Sequence, residues 1–177
     1  MTNNKQQAAR AQSFNAVLDH RTRVLILGSM PGRASLQQAQ YYAHPRNGFW
    51  LLMESLFSIR RDLPYSQRLK ALNNVGIGLW DVFAECEREG SLDSAIRQQT
   101  ARCNDFAALF AQHPAIAHVF FNGQTAAVAF ERYVLAQHEQ SPVRHVLPST
   151  SPANATMSFD QKRQAWQKIR QVLDYDG

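Results

Sequence analysis

The segment Tyr41–Trp50 (YYAHPRNGFW) carries the densest set of chemically useful side chains in this sequence. A tyrosine beside its proline-bounded loop offers a flat face on which a nucleobase can stack, a contact worth about 1–3 kcal/mol. The carboxamide of Asn47 either caps the apolar helix that follows or holds water and hydrogen-bonds a substrate. Arg46 is either a phosphate contact or a solvated surface charge, and His44 is either a general acid or a loop-fixing residue. We therefore expect a nucleobase-binding site in this segment.

Two turns of small residues each follow an apolar run and could complete such a site. Gly28–Gly32 (GSMPG) follows Val24–Leu27, and its glycines let a ligand approach the main chain closely. Its Ser29 and Met30 are predicted to line the pocket wall, although an ordinary strand-to-loop turn would look the same. Pro148–Asn154 (PSTSPAN) is either a rigid connection into the last helix or a loop whose hydroxyls and amides grip phosphate oxygens. The candidate DNA contacts in this loop are Ser149, Thr150, Ser151 and Asn154.

Two further polar side chains end apolar runs. Asp81 closes Gly78–Asp81 and either contacts a base edge or serves as a helix cap or turn residue. Asn122 precedes Gly123 and either lines the pocket or caps the helix that opens at Gln124. Both are candidate base-binding residues.

These residues must be positioned by alternating strands and helices. The first apolar run is continuous, as expected for a strand buried on both faces. The predicted strands are Arg23–Leu27, Val75–Trp80, Ile116–Phe121 and Val143–Leu147. The predicted helices are Asn47–Ile59, Tyr65–Asn74, Asn104–Gln112, Gln124–Gln137 and Phe159–Leu173. The polar stretch Glu85–Arg102 has no clear periodicity and is compatible with a short helix after Ser91.

Such alternation predicts an α/β fold, a three-layer α/β/α sandwich with a central, mainly parallel four-stranded sheet. Ligands of parallel sheets bind at the carboxyl ends of the strands. Four segments fall at such ends, so we expect four loops to converge on one site: Gly28–Gly32, Gly78–Asp81, Asn122–Gly123 and Pro148–Asn154.

Length and composition set further limits. The chain has 177 residues, which suits a single domain at 16–177 behind a flexible segment at 1–15. Its formal net charge of +5 is compatible with a polyanionic partner. Two cysteines without a CxxC motif, and histidines without ligand spacing, predict no metal and no other cofactor. Without an apolar leader or spanning segment, we expect a cytoplasmic monomer with no membrane association.

Four pieces of the chain resemble the uracil-DNA glycosylase superfamily, and most closely its hypoxanthine-DNA glycosylase (DNA-deoxyinosine glycosylase) branch. These pieces are Gly28–Gly32, Tyr42–Trp50, Gly76–Val82 and Leu147–Asn154. The resemblance implies that Asn47 is catalytic, that Tyr42 stacks on the base, and that Ser149–Asn154 grips the strand. Other members of the superfamily carry Asp or Asn where this chain has Met30, and this departure disfavours uracil as the main substrate.

The resemblance implies a monofunctional DNA glycosylase of base excision repair. It would hydrolyse the N-glycosidic bond of hypoxanthine, and of uracil as a lesser substrate, and leave an abasic site in DNA with deaminated bases. Two alternatives stay open: a mismatch-specific uracil-DNA glycosylase, and a catalytically silent DNA- or nucleotide-binding domain. A serine esterase using Ser149 or Ser151 is disfavoured, because neither serine lies in a GxSxG elbow.

Overall fold

A computed structural model describes residues 10–135 and 142–175 of the chain. Its strands are β1 (Arg10–Gln12), β2 (Val24–Gly28), β3 (Ile77–Asp81), β4 (Phe83–Arg88), β5 (Ile96–Cys103), β6 (His118–Asn122) and β7 (Val143–Leu147). Its helices are α1 (Arg33–Gln38), α2 (Phe49–Phe57), α3 (Tyr65–Asn74), α4 (Phe106–Gln112), α5 (Gln124–Tyr133) and α6 (Phe159–Tyr175).

The main sheet has four parallel strands in the order β3-β2-β6-β7. Side chains of β2 alternate between its two faces, since successive residues of a strand point to opposite sides. Val24 and Ile26 pack with residues of α2, α3 and α6, whereas Leu25 and Leu27 pack with residues of α4 and α5. Because both faces are covered, the predicted three-layer α/β/α sandwich is confirmed.

A second sheet lies in the stretch for which a short helix after Ser91 was predicted. A short 3-10 helix does lie there, at Asp93–Ala95, but the strands on either side of it were not predicted. Strands β1, β4 and β5 form a three-stranded antiparallel sheet, with a 3-10 turn at Asp93–Ala95 before β5. Strand β5 buries Ile96 and leaves most of its polar residues exposed or half-buried. Its sequence therefore lacks the apolar alternation by which a half-buried strand is detected.

The N-terminal residues within the described range also differ from the prediction of a flexible segment. Arg10–Gln12 form β1, and the amide of Ser13 donates to the carbonyl of Ala84 at 2.8 Å. Residues 1–9 lie outside the described residues, as do the last two positions of the predicted helix Gln124–Gln137. Ser13 also reaches the main sheet, so the start of the described chain supports the site.

Candidate functional site

A cavity of about 460 Å³ lies at the carboxyl ends of the parallel strands. It is lined by the loops that follow β2 and β7, by Asp81 and Asn122 at the ends of β3 and β6, by residues 91–94 between β4 and β5, and by the residues that precede α2. The sequence-predicted site residues that line it are Ser29, Met30, Tyr42, Asn47, Asp81, Asn122, Ser149, Thr150, Ser151 and Asn154.

Arg46 is the predicted site residue that does not line the cavity. Its side chain is exposed, and its backbone N–H donates to Nδ1 of His44 at 3.1 Å. His44 therefore holds the loop in place. Arg46 does not line the cavity but is close in sequence to residues that do, and its exposed side chain can face a phosphate.

The aromatic floor of the cavity is built from two stacked rings. The ring centroids of Tyr42 and Phe49 are 4.0 Å apart, with an interplanar angle of 22°. Tyr42 adopts a left-handed backbone conformation with φ of 57°, which is uncommon for a residue other than glycine. Burial, with the nearby charge of Asp81, raises the pKa of the Tyr42 hydroxyl, so the phenol stays neutral.

The carboxamide of Asn47 is held through its oxygen atom. Oδ1 accepts a hydrogen bond from the backbone N–H of Phe49 at 3.0 Å, at the first turn of α2. Within the part of the chain that the structure describes, Nδ2 makes no hydrogen bond. The helix-supporting role and the substrate role are thus compatible, because they use different atoms of the carboxamide. Gly48 donates to the carbonyl of Thr150 at 3.0 Å and ties this segment to the opposite loop.

Asp81 sits beneath the cavity with 3% of its surface exposed. Its Oδ2 accepts a hydrogen bond from the hydroxyl of Ser13 at 2.7 Å. Burial raises the pKa of Asp81 to about 7, although the Ser13 hydrogen bond acts in the opposite direction. The neighbouring position must be glycine, because a Cβ on Gly28 would lie 2.7 Å from Oδ1 of Asp81.

Asn122 joins the end of β6 to the loop after β7. Its Nδ2 donates to Oγ1 of Thr150 at 2.9 Å, and its Oδ1 accepts from the Thr150 backbone N–H at 2.8 Å. Asn122 does not cap α5, where Gly123 holds the cap position without a side-chain bond. The hydroxyl of Thr150 is buried and occupied, so this residue acts by holding the loop.

The rest of the loop after β7 is held by its own polar groups and by α6. Nδ2 of Asn154 donates to the carbonyl of Ser149 at 3.1 Å, and Lys162 Nζ donates to the carbonyl of Asn154 at 2.8 Å. The indole of Trp166 donates to the carbonyl of Pro148 at 2.9 Å. The loop is therefore pre-ordered before any ligand binds.

Sequence reasoning missed the wall supplied by the second sheet. The hydroxyl of Ser29 donates to Oδ1 of Asp93 at 2.6 Å. Buried Arg88 donates to the carbonyls of Met30 and Pro31. Burial raises the pKa of Asp93, while the Ser29 hydrogen bond and the charge of Arg88 act to lower it. The one sequence feature that could have indicated this wall is the presence of two charged residues, Arg88 and Asp93, within a polar stretch.

A family model described as the uracil DNA glycosylase superfamily matches residues 16–170. The chain belongs to this superfamily. Within the ranges 10–135 and 142–175, no helix is long and apolar enough to cross a bilayer, and no three His, Cys, Asp or Glu side chains form a metal-binding group. As a glycosylase superfamily member, the protein has DNA as its substrate.

Two relatives of this superfamily member have curated names. A hypoxanthine DNA glycosylase of Methanosarcina acetivorans is 37% identical over 159 residues, covering 89% of this chain and 96% of the relative. Its counterpart in Methanosarcina barkeri is 38% identical over 160 residues, with the same coverage. A solution NMR structure of a candidate uracil DNA glycosylase from M. acetivorans superposes with a TM-score of 0.79 at 36% identity, covering 94% of this chain and 99% of that one.

Proposed function

We propose that the protein is a monofunctional hypoxanthine DNA glycosylase that hydrolyses the N-glycosidic bond of deoxyinosine in DNA. The observation that carries this proposal is the cavity in which Tyr42, Asp81 and the carboxamide of Asn47 meet. The names of relatives that share 37–38% of its residues support the same substrate. We also expect a cytoplasmic monomer.

Base recognition is assigned to two side chains that line the cavity, Tyr42 and Asp81. The target base must leave the stack before an enzyme reaches its glycosidic bond. The ring of Tyr42, backed by Phe49, receives the flipped base by stacking. Hypoxanthine presents an N–H donor beside a carbonyl acceptor. The carboxyl group of Asp81, whose pKa is about 7, can match this edge in its protonated form, which accepts through one oxygen and donates through its O–H.

Bond cleavage calls for a positioned water and a stabilised sugar cation. As the bond between C1′ and N9 breaks, its electron pair stays on the purine, and the sugar becomes oxocarbenium-like. A carboxamide is not basic at neutral pH, so Asn47 positions the water through Nδ2 instead of deprotonating it. Among the described residues, none that lines the cavity is a lysine, so we expect no Schiff base and an abasic site as the product.

The DNA strand is held by groups around the cavity rim. Ser149, Ser151 and Asn154 present amides and polar side chains from the pre-ordered loop after β7. Thr150 contributes through its backbone, since its hydroxyl is engaged by Asn122. Exposed Arg46 supplies a positive charge for a flanking phosphate.

The test is base release from duplexes that contain hypoxanthine, uracil or xanthine. We expect hypoxanthine to be released fastest. Asn47→Ala removes the Nδ2 donor and should lose about 10²–10³-fold in rate. Because it also leaves the Phe49 N–H without its acceptor, it should lower stability by about 1 kcal/mol. Asn74→Ala, on the exposed side of α3, serves as the matched control.

Each result has a defined meaning. Uracil released faster than hypoxanthine would favour the mismatch-uracil alternative. Binding of DNA without release of any base would favour the silent binding domain. Unchanged hypoxanthine release by Asn47→Ala would overturn the catalytic assignment.

A further inference from the structure

Ser13 holds one oxygen of the carboxyl group that lies beneath the cavity. Its hydroxyl donates to Oδ2 of Asp81 at 2.7 Å, although the two residues are 68 positions apart in the sequence. Ser13 does not itself line the cavity, so it can act on a bound base only through Asp81. None of the roles assigned above includes this hydroxyl.

The segment that carries Ser13 is fixed by both sheets. The backbone N–H of Ser13 donates to the carbonyl of Ala84 in β4 at 2.8 Å. The carbonyl of Phe14 accepts from the indole of Trp80 in β3 at 3.0 Å. The ring of Phe14 also packs edge-on against Tyr41, with centroids 5.0 Å apart. The Ser13 hydroxyl is therefore held in one place relative to the end of β3.

The other oxygen of Asp81 lies beside two residues that line the cavity. A Cβ built on Gly28 would lie 2.7 Å from Oδ1 of Asp81 and 3.7 Å from the hydroxyl of Tyr42, the residue assigned to stack on the base. Among the described residues, no hydrogen bond to Oδ1 competes with a ligand. The two oxygens thus have different surroundings, because Oδ2 is bonded to Ser13 and Oδ1 is left for the base.

The other ionisable groups that act on Asp81 are Tyr41, Tyr42, Tyr65, Asp93 and Arg88. Burial raises the pKa of each of the three tyrosines, so their hydroxyls stay neutral at physiological pH. The charge of Asp93 acts to raise the pKa of Asp81, and that of Arg88 acts to lower it. The hydroxyl of Tyr41 is buried and has no hydrogen-bond partner in the described part of the chain. The bond from Ser13 is therefore what distinguishes Oδ2 from Oδ1.

A neutral carboxyl group can present two opposite patterns to a base. With its proton on Oδ1, Asp81 donates at Oδ1 and accepts at Oδ2, which matches the carbonyl and N–H of hypoxanthine. With its proton on Oδ2, it presents the reverse pattern, which matches the amino group and ring nitrogen of adenine. A carboxyl group free to move its proton would therefore accept both the deaminated base and its normal parent.

We propose that Ser13 is a positioning residue that makes the site reject adenine, because its hydroxyl keeps the proton of neutral Asp81 on Oδ1. An oxygen that accepts from Ser13 still has a lone pair for the N–H of hypoxanthine, while Oδ1–H donates to the base carbonyl. The base cannot reverse its own pattern by turning over, since its glycosidic bond must lie beside Asn47. This inference rests on the proposed function and adds a determinant of its specificity.

The first experiment measures how well each variant distinguishes the two bases. Ser13→Ala is compared with Ser13→Thr, which keeps a hydroxyl, and with Ser55→Ala, which removes an exposed serine from α2. Dissociation constants are measured with duplexes that carry an uncleavable 2′-fluoro analogue of deoxyinosine or of deoxyadenosine. We expect Ser13→Ala to reduce the preference for the inosine analogue by about tenfold or more, the discrimination that one bidentate pair supplies. Ser13→Thr and Ser55→Ala should keep most of the wild-type preference.

The second experiment is a pH profile, which a purely structural role of Ser13 would not change. The hydrogen bond from Ser13 acts to lower the pKa of Asp81, so its removal should raise that pKa. Hypoxanthine recognition requires the proton on Asp81, so the single-turnover rate of base release should fall as pH rises. This fall should occur at higher pH in Ser13→Ala than in the wild type, whereas Ser55→Ala should follow the wild-type profile.

The outcomes separate the role of Ser13 from the proposed function. If the wild type releases no hypoxanthine, the proposed function fails. If the wild type is active but binds both analogues equally, or if Ser13→Ala keeps the wild-type preference, the role of Ser13 is overturned and the proposed function stands. An equal loss of affinity for both analogues would also overturn it, because Ser13 would then only support the fold. A changed preference with an unchanged pH profile would overturn the action through Asp81.

Discussion

The two halves of the cavity wall are built from different chemistry. On the side of β2 and β3, the supporting side chains are ionisable and buried or half-buried: Asp81, Asp93 and Arg88. On the side of β6 and β7, the corresponding groups are neutral, and Asn122 and Thr150 satisfy each other by two hydrogen bonds. We call these the charged half and the neutral half.

The difference separates two tasks. Amide and hydroxyl groups keep the same hydrogen bonds at every physiological pH, so the neutral half can hold the DNA-contacting loop in one conformation. Carboxyl groups taken out of water carry raised pKa values, as Asp81 and Asp93 do, and can change protonation state during a reaction. The charged half is therefore suited to recognition and chemistry on the base.

Removing Arg88 should have the largest effect on stability. Arg88→Met would leave the carbonyls of Met30 and Pro31 without their donor and Asp93 without its nearby positive charge. Leaving a buried hydrogen-bonding group without its partner costs about 1–3 kcal/mol, and more where the lost donor is charged, so the free energy of unfolding in urea should fall by about 3 kcal/mol.

Arg97→Met is the matched control for this prediction. Arg97 lies in the same hairpin, pairs with Glu87 and Glu89, and has 52% of its side chain exposed. Exposed pairs of this kind are worth about 0–1 kcal/mol. If both variants unfold at the same urea concentration, Arg88 does not hold the charged half together.

The contrast also explains what the sequence could predict. The main sheet and its helices have recognisable sequence patterns. The strands are continuous apolar runs, the helices have apolar residues at helical spacing, and turns of small residues follow the strands. The loops that meet at the carboxyl ends of the strands follow from that topology, and Gly28, Asn122 and Ser149–Asn154 line the cavity there.

The charged half was only partly predictable, for a physical reason. Asp81 ends a strand of the main sheet, so its place was foreseeable. Asp93 and Arg88 come from a hairpin whose outer strand, β5, is mostly polar. The inner strand of this hairpin, β4, pairs with a strand distant in sequence, where Arg10 of β1 lies opposite Glu87. The two roles of Asn47 likewise become visible only in the structure, where Oδ1 accepts from the Phe49 N–H of α2 and Nδ2 is left for the cavity.

The second prediction concerns the pH response of the charged half. The pKa of Asp81 is about 7 in the folded protein and near 3.8 when unfolded. The folded state thus binds more protons between these values, and stability falls as pH rises through this window. Asp81→Asn removes the titration. Its stability relative to wild type should increase by about 1 kcal/mol per pH unit from pH 5 to pH 7, and then level off.

Urea unfolding at several pH values measures this difference, with Asp160→Asn as a control for loss of a surface carboxylate, 86% exposed at its side chain. The control should keep the wild-type pH profile. A difference between Asp81→Asn and wild type that is flat from pH 5 to pH 8 would mean that Asp81 is not protonated inside the folded protein. The charged half would then share the pH-insensitivity of the neutral half.

The smallest effect is expected in the neutral half. Asn122→Ala removes both bonds to Thr150 and leaves its buried backbone N–H unpaired, which costs about 1–2 kcal/mol. Asn122→Asp retains an acceptor for that N–H and should lose less, because the Thr150 hydroxyl can turn to donate to the new carboxylate. Urea unfolding at pH 6 and pH 8 should give the same loss for Asn122→Ala, since no titrating group is removed. A loss that changes between these pH values would show that the neutral half is coupled to the carboxyl groups across the cavity, and the two halves would have to be treated as one electrostatic unit.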